Sequence, residues 1–228
     1  MEDYLSEKER WEWVRAQVRE NAPAVILAVV VVLGSLAGWR WWQDRQDSAR
    51  VAAGSRYMNM VEAIDRGDHA QAMRLLGELE RDSAGSPYTD QAKMLAARIY
   101  AESGELDKAA TELSTVVAQS KDHDLASVAR LWLARVQVAQ GKADAALATL
   151  GANDTTAFAG RSREIRGDAY LAKGGNAEAL TEYRAAKAAS AAMSNPLLDL
   201  KIADLSAGET AAATPAAAAP MATAAPAK

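Results

Sequence analysis

Two hydrophobic patterns divide the chain. From Asn21 to Trp39 runs an uninterrupted stretch of 19 residues without a charge, bounded by Glu20 and Arg40. At a helical rise of about 1.5 Å per residue it would span roughly 28 Å, the thickness of a bilayer hydrocarbon core. From about residue 48 to 205 the apolar positions recur instead at the three- and four-residue intervals of amphipathic helices, arranged in pairs. After Leu205 large apolar residues almost vanish. Residues 206–228 hold 12 Ala and 3 Pro, too little to offset ordering entropy, so a disordered tail is expected there. Residues 4–20 also carry a helical pattern: Ser6 and Glu9 make a capping-box pair, and Trp11, Val14 and Val18 share a face.

The uncharged stretch predicts a membrane-spanning helix. Pro23 stands in its first turn, where a missing N–H is harmless. Trp39, Trp41 and Trp42 follow with Arg40 and Arg45, the aromatic and basic anchors of a membrane interface. The competing reading is a cleaved signal peptide, for which Ser35-Leu36-Ala37 offers a small-x-small site. The 20 residues before the stretch carry six acids beside four bases, unlike a short basic leader, which favours an uncleaved anchor. Lys8, Arg10, Arg15 and Arg19 precede it, and Arg40, Arg45 and Arg50 follow, a count that leans only slightly towards the N-terminal side facing the cytoplasm. Gly34 and Gly38 form a G-x-x-x-G and are the candidate contact for a second membrane helix; such pairs also arise by chance in spans rich in Gly and Ala.

Within the paired region four segments of the form Gly-x-x-x-x-Ala recur with their glycines 37, 37 and 33 residues apart: Gly67…Ala72, Gly104…Ala109, Gly141…Ala146 and Gly174…Ala179. Four residues after each Ala stands a large apolar residue, Leu76, Leu113, Leu150 or Tyr183. Seven before each Gly lie Met60, Ala97, Ala134 and Gly167, mostly small. Glycine turns the chain, alanine lets the second helix approach the first, and the large residue fills the space between pairs. Ser83-Ala-Gly-Ser-Pro87, Lys121-Asp-His-Asp124 and Ala152-Asn-Asp-Thr-Thr156 read as turns between the units. These segments resemble tetratricopeptide repeats, helix–turn–helix units that stack into a superhelix. Met60 is bulkier than that pattern prefers, and Gln137 stands where an aromatic is common. Asn195-Pro196 opens a Leu-rich helix, Leu197 to Leu205, placed to cap the open end of the stack.

The fold class expected is therefore all-α: one N-terminal transmembrane helix, then a tetratricopeptide-like solenoid of about four helix pairs. The corresponding division is 1–20 N-terminal tail, 21–39 span, 40–205 repeat domain and 206–228 tail. Composition agrees: 53 of 228 residues are Ala, the strongest helix former, against 13 aromatic side chains.

Little catalytic chemistry is available. The absence of Cys excludes thiolate chemistry and disulfides. A net charge of −4 argues against nucleic-acid binding. His123 between Asp122 and Asp124 invites a metal, but a run of three in a polar turn reads better as a helix cap. No enzyme, cofactor or metal site is expected. A solenoid instead offers a concave surface lined by the first helix of each pair. Counting back from the glycines places Met94 and Arg98, Leu131 and Arg135, and Glu164 and Asp168 on that surface, two apolar–cationic pairs followed by an anionic one. Such a mixture could engage an unfolded segment or an acidic motif. The plainer reading is that these are ordinary solvated or inter-repeat positions. Trp132 reads as repeat core rather than a ligand platform.

The order of parts resembles the ancillary subunits of the SecYEG translocon. The resemblance rests on the acidic tail from Tyr4, the boundary Gly38-Trp39-Arg40-Trp41-Trp42, and Asp47-Ser48-Ala49-Arg50. Within the repeats it rests on Leu133-Ala-Arg-Val-Gln137, Ala143-Asp-Ala-Ala-Leu147 and Arg166-Gly-Asp-Ala-Tyr170-Leu-Ala-Lys-Gly174. It covers about residues 1–205 and leaves the Ala/Pro tail out. It implies an inner-membrane protein with a cytoplasmic N-terminus and a periplasmic repeat domain. Its implied partners are SecYEG, a membrane-anchored periplasmic chaperone of the prolyl-isomerase type, and newly translocated client chains. It implies no catalytic residues. The alternative is a repeat scaffold for another envelope complex, in cell-wall synthesis or outer-membrane assembly.

Overall fold

The computed structural model describes residues 7–20, 22–151, 157–190 and 195–213. The Ser6 half of the capping pair and the Ala152–Thr156 turn fall outside them, as does the chain beyond Ala213. Among the described residues there are ten α-helices and no strand. Two compact units divide the chain, Met1–Ser55 and Arg56–Lys228.

The first unit contains α1 (Glu7–Glu20) and most of α2 (Ala22–Asp65). The apolar stretch lies in α2, and none of it is buried within the protein. Ile26, Leu27, Val30, Val32, Leu33 and Leu36 are all exposed. A helix this long and apolar, open on every side, has the dimensions of a membrane span. The one hydroxyl of the apolar stretch is internally satisfied, since Ser35 Oγ donates to the Val31 carbonyl at 2.7 Å. Trp39 and Trp42 stack at 5.4 Å between centroids, and the Arg45 guanidinium lies 5.8 Å from the Trp41 ring.

α2 runs unbroken from Ala22 to Asp65. The division at residue 40, expected from the change in hydrophobic pattern, coincides with no break in the backbone. Residues 40–55 contain neither Pro nor a run of turn formers, so nothing in them ends a helix.

The second unit begins in the last turns of α2. α3 (His69–Asp82) completes the first helix pair, followed by α4 (Pro87–Glu102) with α5 (Leu106–Gln119). Then come α6 (His123–Ala139) with α7 (Ala143–Leu150), and α8 (Ala159–Ala172) with α9 (Asn176–Ala189). These are the four pairs that the glycine spacing predicts.

Each pair turns in the same way. Gly67, Gly104, Gly141 and Gly174 have φ between +73° and +80°, the left-handed region that disfavours a side chain. At Gly104, its N–H donates to the Ala101 carbonyl at 3.1 Å, and Glu105 N–H reaches back to the Tyr100 carbonyl at 2.8 Å. The same two bonds recur at the other three glycines, a Schellman turn that satisfies carbonyls left open at the helix end. The alanines five residues on, Ala72, Ala109, Ala146 and Ala179, are all completely buried. Leu76, Leu113, Leu150 and Tyr183 are buried behind them. Gln137, the departure from the repeat pattern, supplies its backbone carbonyl to the third turn and accepts from Thr149 Oγ1 at 2.8 Å. Met60 is fully buried despite its bulk, which its flexible thioether side chain allows.

Small residues also hold the facing slot. Ala97 and Ala134 are buried there, and at Gly167 an added Cβ would lie 2.4 Å from the Tyr183 ring. Successive cores interlock: one joins α4, α5 and α6 around Leu113, the next joins α6, α7 and α8 around Ile165. Half-buried Trp132 packs against both.

α10 (Pro196–Ala213) closes the far end. Leu198 is buried with Ala179, Tyr183 and Ala186, and Ile202 and Leu205 pack beside it. The helix continues past Leu205 to Ala213, into sequence expected to be disordered. Residues 206–213 lack proline and hold four Ala, so propensity extends the turn that packing began.

Two glycine substitutions should separate the backbone role from the packing role. Gly104→Ala meets no atom within 4 Å, so only its left-handed φ resists, and a loss of about 1–2 kcal/mol is expected. Gly167→Ala must displace a buried ring and is expected to lose about 2–3 kcal/mol. Urea unfolding of the two variants beside the parent chain measures both.

Candidate interaction surface

The six positions that the repeat register places on one surface do not share one environment. Met94 is only 5% exposed and belongs to the core with Ala97, Leu113 and Leu133. Leu131 is 6% exposed and packs in the next core against Ala134 and Ile165. A first helix inside a stack is covered by its own partner and by both neighbouring pairs. The open stripe is therefore narrower than a count at four-residue spacing suggests.

Arg98 and Arg135, one turn further along, are exposed. Arg98 is occupied locally, its Nε donating to Glu102 Oε1 at 2.7 Å. Arg135 forms no ion pair with any described residue. Partial desolvation, and then the nearby charge of Arg161, disfavour its protonated form, while Glu164 and Asp168 draw the other way.

Glu164 and Asp168 are not open anionic groups. Glu164 is nearly buried and accepts from Arg161 Nη1 at 2.7 Å and Asn195 Nδ2 at 3.4 Å. Asp168 accepts from the Tyr183 hydroxyl and from Lys201 Nζ, both at 2.6 Å. Lys201 also reaches Glu164 at 3.5 Å and lies 5.3 Å from the Tyr183 ring centroid. One lysine on α10 thus contacts two carboxylates on α8, and Arg161 supplies the second positive charge. The sequence reading passed over Lys201, although its position held a signal. Leu198, Ile202 and Leu205 mark the packed face of α10, and Lys201 falls on that face. A cation on a packed face requires an acidic partner.

Two hollows open on this side of the second unit. The larger, about 670 Å³, lies between α6, α8 and α10 and includes Leu131, Trp132, Arg135, Phe158, Glu164 and Leu197 in its wall. The smaller, about 240 Å³, lies between α4, α5 and α6 and contains Ala97, Arg98 and Leu113. Trp132 and Arg135 belong to both. The structure therefore brings Leu131, Arg135 and Glu164 to one hollow and Arg98 and Arg135 to the other. Neither wall includes Met94 or Asp168.

The remaining candidates are separate. Gly34 and Gly38 lie one turn apart on exposed α2, and a Cβ on either would meet no atom within 4 Å. The face they share is open to a second helix. Asp122 caps α6, accepting from the backbone N–H groups of Asp124 and Leu125 at 3.0 Å, so the run around His123 serves as a helix start. Among the described residues no group of three or more His, Asp or Glu is placed to hold a metal ion.

Residues 15–207 match the tetratricopeptide repeat-like domain family. Over 188 residues the chain is 35% identical to the ancillary SecYEG translocon subunit of Escherichia coli (strain K12), an alignment covering 81% of this chain and 89% of that protein. The protein of the same name from Aggregatibacter actinomycetemcomitans is 27% identical over 198 residues, covering 87% of this chain and 97% of its own length. That from Haemophilus influenzae (strain ATCC 51907 / DSM 11121 / KW20 / Rd) is 25% identical, covering 81% and 90%. The chain belongs to the tetratricopeptide repeat-like proteins and, within them, to the family of ancillary SecYEG translocon subunits.

The buried network gives a pH dependence. Burial, and then the hydrogen bond to Asp168, push the Tyr183 hydroxyl well above its ordinary value near 10. With the folded value raised, this contribution to stability is complete below about pH 10 and is lost as pH climbs beyond it. Unfolding free energy measured from pH 8 to 11.5 should fall above pH 10, and Tyr183→Phe should flatten that fall.

Proposed function

We propose that this chain, as an ancillary SecYEG translocon subunit by family, is a non-catalytic adaptor held in the inner membrane beside the SecYEG channel. Family membership over more than three quarters of the chain carries the reading. Two further features support it. α2 carries one long apolar stretch with tryptophan and arginine at one end, suited to anchoring. The helix pairs that follow form a repeat solenoid, an architecture that presents an extended surface to other chains.

In this reading residues 1–20 face the cytoplasm, 21–39 span the membrane, and the repeat domain stands in the periplasm. The tail from 206 remains without an assigned role. Gly34 and Gly38 offer a close approach to a helix of the channel. The repeat surface, with Arg98 and Arg135 on its open stripe, meets a membrane-anchored chaperone of the prolyl-isomerase type and chains emerging from the channel. Hydrolytic or redox chemistry forms no part of the proposal.

Mild-detergent purification of the tagged full chain from membranes tests the adaptor role. SecYEG subunits and a prolyl-isomerase-type chaperone are expected to copurify, with Gly34→Ile/Gly38→Ile reducing the SecYEG fraction severalfold. Recovery of neither partner would contradict the proposal; recovery of cell-wall or outer-membrane assembly proteins instead would favour an envelope scaffold. Orientation has a separate test, because the chain has no cysteine of its own. A membrane-impermeant maleimide should label Ser114→Cys in intact spheroplasts and Glu12→Cys only after lysis. The reverse pattern would invert the topology.

A further inference from the structure

The repeat register alone would make the far end of the surface acidic, through Glu164 and Asp168. The structure removes that charge. Arg161, Asn195 and Lys201 occupy Glu164, while Tyr183 and Lys201 occupy Asp168. One of the two positive charges, Lys201, comes from beyond the repeats, on α10, and Asn195 just before that helix adds a hydrogen bond.

On this surface Arg135 is then a charge with no ion-pair partner among the described residues. It lies in the wall of both hollows beside Trp132, is exposed, and forms no ion pair within 4.0 Å with a described residue. Around it the wall of the larger hollow combines apolar side chains, Phe158, Val128 and the outward-facing Leu197, itself 59% exposed, with Arg161 and Glu164, which pair with each other. A cation with no ion-pair partner among the described residues, set beside apolar side chains while Arg161 and Arg98 in the same walls hold acids of their own, is complementary to a carboxylate flanked by apolar side chains. Because Arg135 stands where the two hollows meet, rather than at a closed end, the carboxylate it receives lies part-way along its chain.

We infer that the hollow between α6, α8 and α10 binds an extended polypeptide segment with an internal Asp or Glu between large apolar residues, its carboxylate paired with Arg135. This rests on the adaptor reading and gives its repeat surface a ligand polarity. Trp132 supplies a flat apolar wall on both sides of the charge, and Leu197 brings the capping helix into the site. Lys201 acts as a positioning residue: by holding Glu164 and Asp168 it keeps them from repelling the incoming acid.

Fluorescence anisotropy on the full chain in detergent, with synthetic nonapeptides blocked at both ends, tests the inference. The probes alternate Leu and Phe around a central Asp, Asn or Lys; a fourth carries Asn and a free C-terminal carboxylate. The parent chain is expected to bind the Asp probe at least about tenfold more tightly than the Asn probe. Arg135→Gln should abolish that preference, and Arg135→Glu should turn it towards the Lys probe. Arg130→Glu, exposed on the same helix, should leave it unchanged. Equal binding of the Asp and Asn probes, selective binding of the free carboxylate, or equal effects of the two charge reversals would overturn the inference. SecYEG recovery from the same extract reads the adaptor role separately. Lost peptide selectivity with intact recovery defeats only the ligand assignment, and lost recovery with intact selectivity defeats only the adaptor.

Discussion

The solenoid depends on how closely paired helices can approach. Four fully buried alanines, Ala72, Ala109, Ala146 and Ala179, sit where the second helix of each pair meets the first. A larger side chain at any of them would force the axes apart. The left-handed glycine five residues earlier fixes the angle at which the chain enters that contact. Close approach then leaves room for one large residue behind each alanine, which ties each pair to the next. Tyr183 shows the constraint at its tightest. Its ring fills the space that Gly167 leaves empty, and its hydroxyl reaches Asp168.

That last contact links packing to surface chemistry. A stack of repeats needs a polar or packed termination, since its final pair would otherwise expose a core face. α10 provides it through Leu198, Ile202 and Leu205. It also carries Lys201 onto two carboxylates, so the termination changes the charge of the neighbouring surface. Had the same apolar face arrived without the lysine, Glu164 would be a nearly buried acid with fewer partners. The cap therefore decides both how the stack ends and what charge its open stripe presents.

Much of the fold was legible because its signals are local. A glycine at a helix end, an alanine five residues on and a large apolar residue four beyond act within one turn–helix unit, and each appears four times. The apolar run was legible for the same reason. The candidate surface was less so. Met94 and Leu131 share a helical face with Arg98 and Arg135, yet the outer pair is solvated and the inner pair is core. That distinction depends on how neighbouring pairs cover the helix. Glu164 has a local partner in Arg161, but the cation that Glu164 and Asp168 share, Lys201, is more than thirty residues away. The unbroken course of α2 from Ala22 to Asp65 was hidden by a change in hydrophobic pattern that alters the helix's surroundings and not its backbone.

The proposed meeting place with other chains of the secretion pathway is the open side of the repeat stack, beside α6 and the capping helix. Site-specific photocrosslinking in cells tests it most directly, with the photoreactive residue at Val128 in the wall of the larger hollow or at Ser114 on the exposed face of α5. Adducts to a translocon-associated chaperone or an emerging chain from position 128, and few or none from 114, are the expected result. The same adducts from both positions, or from 114 alone, would contradict the account.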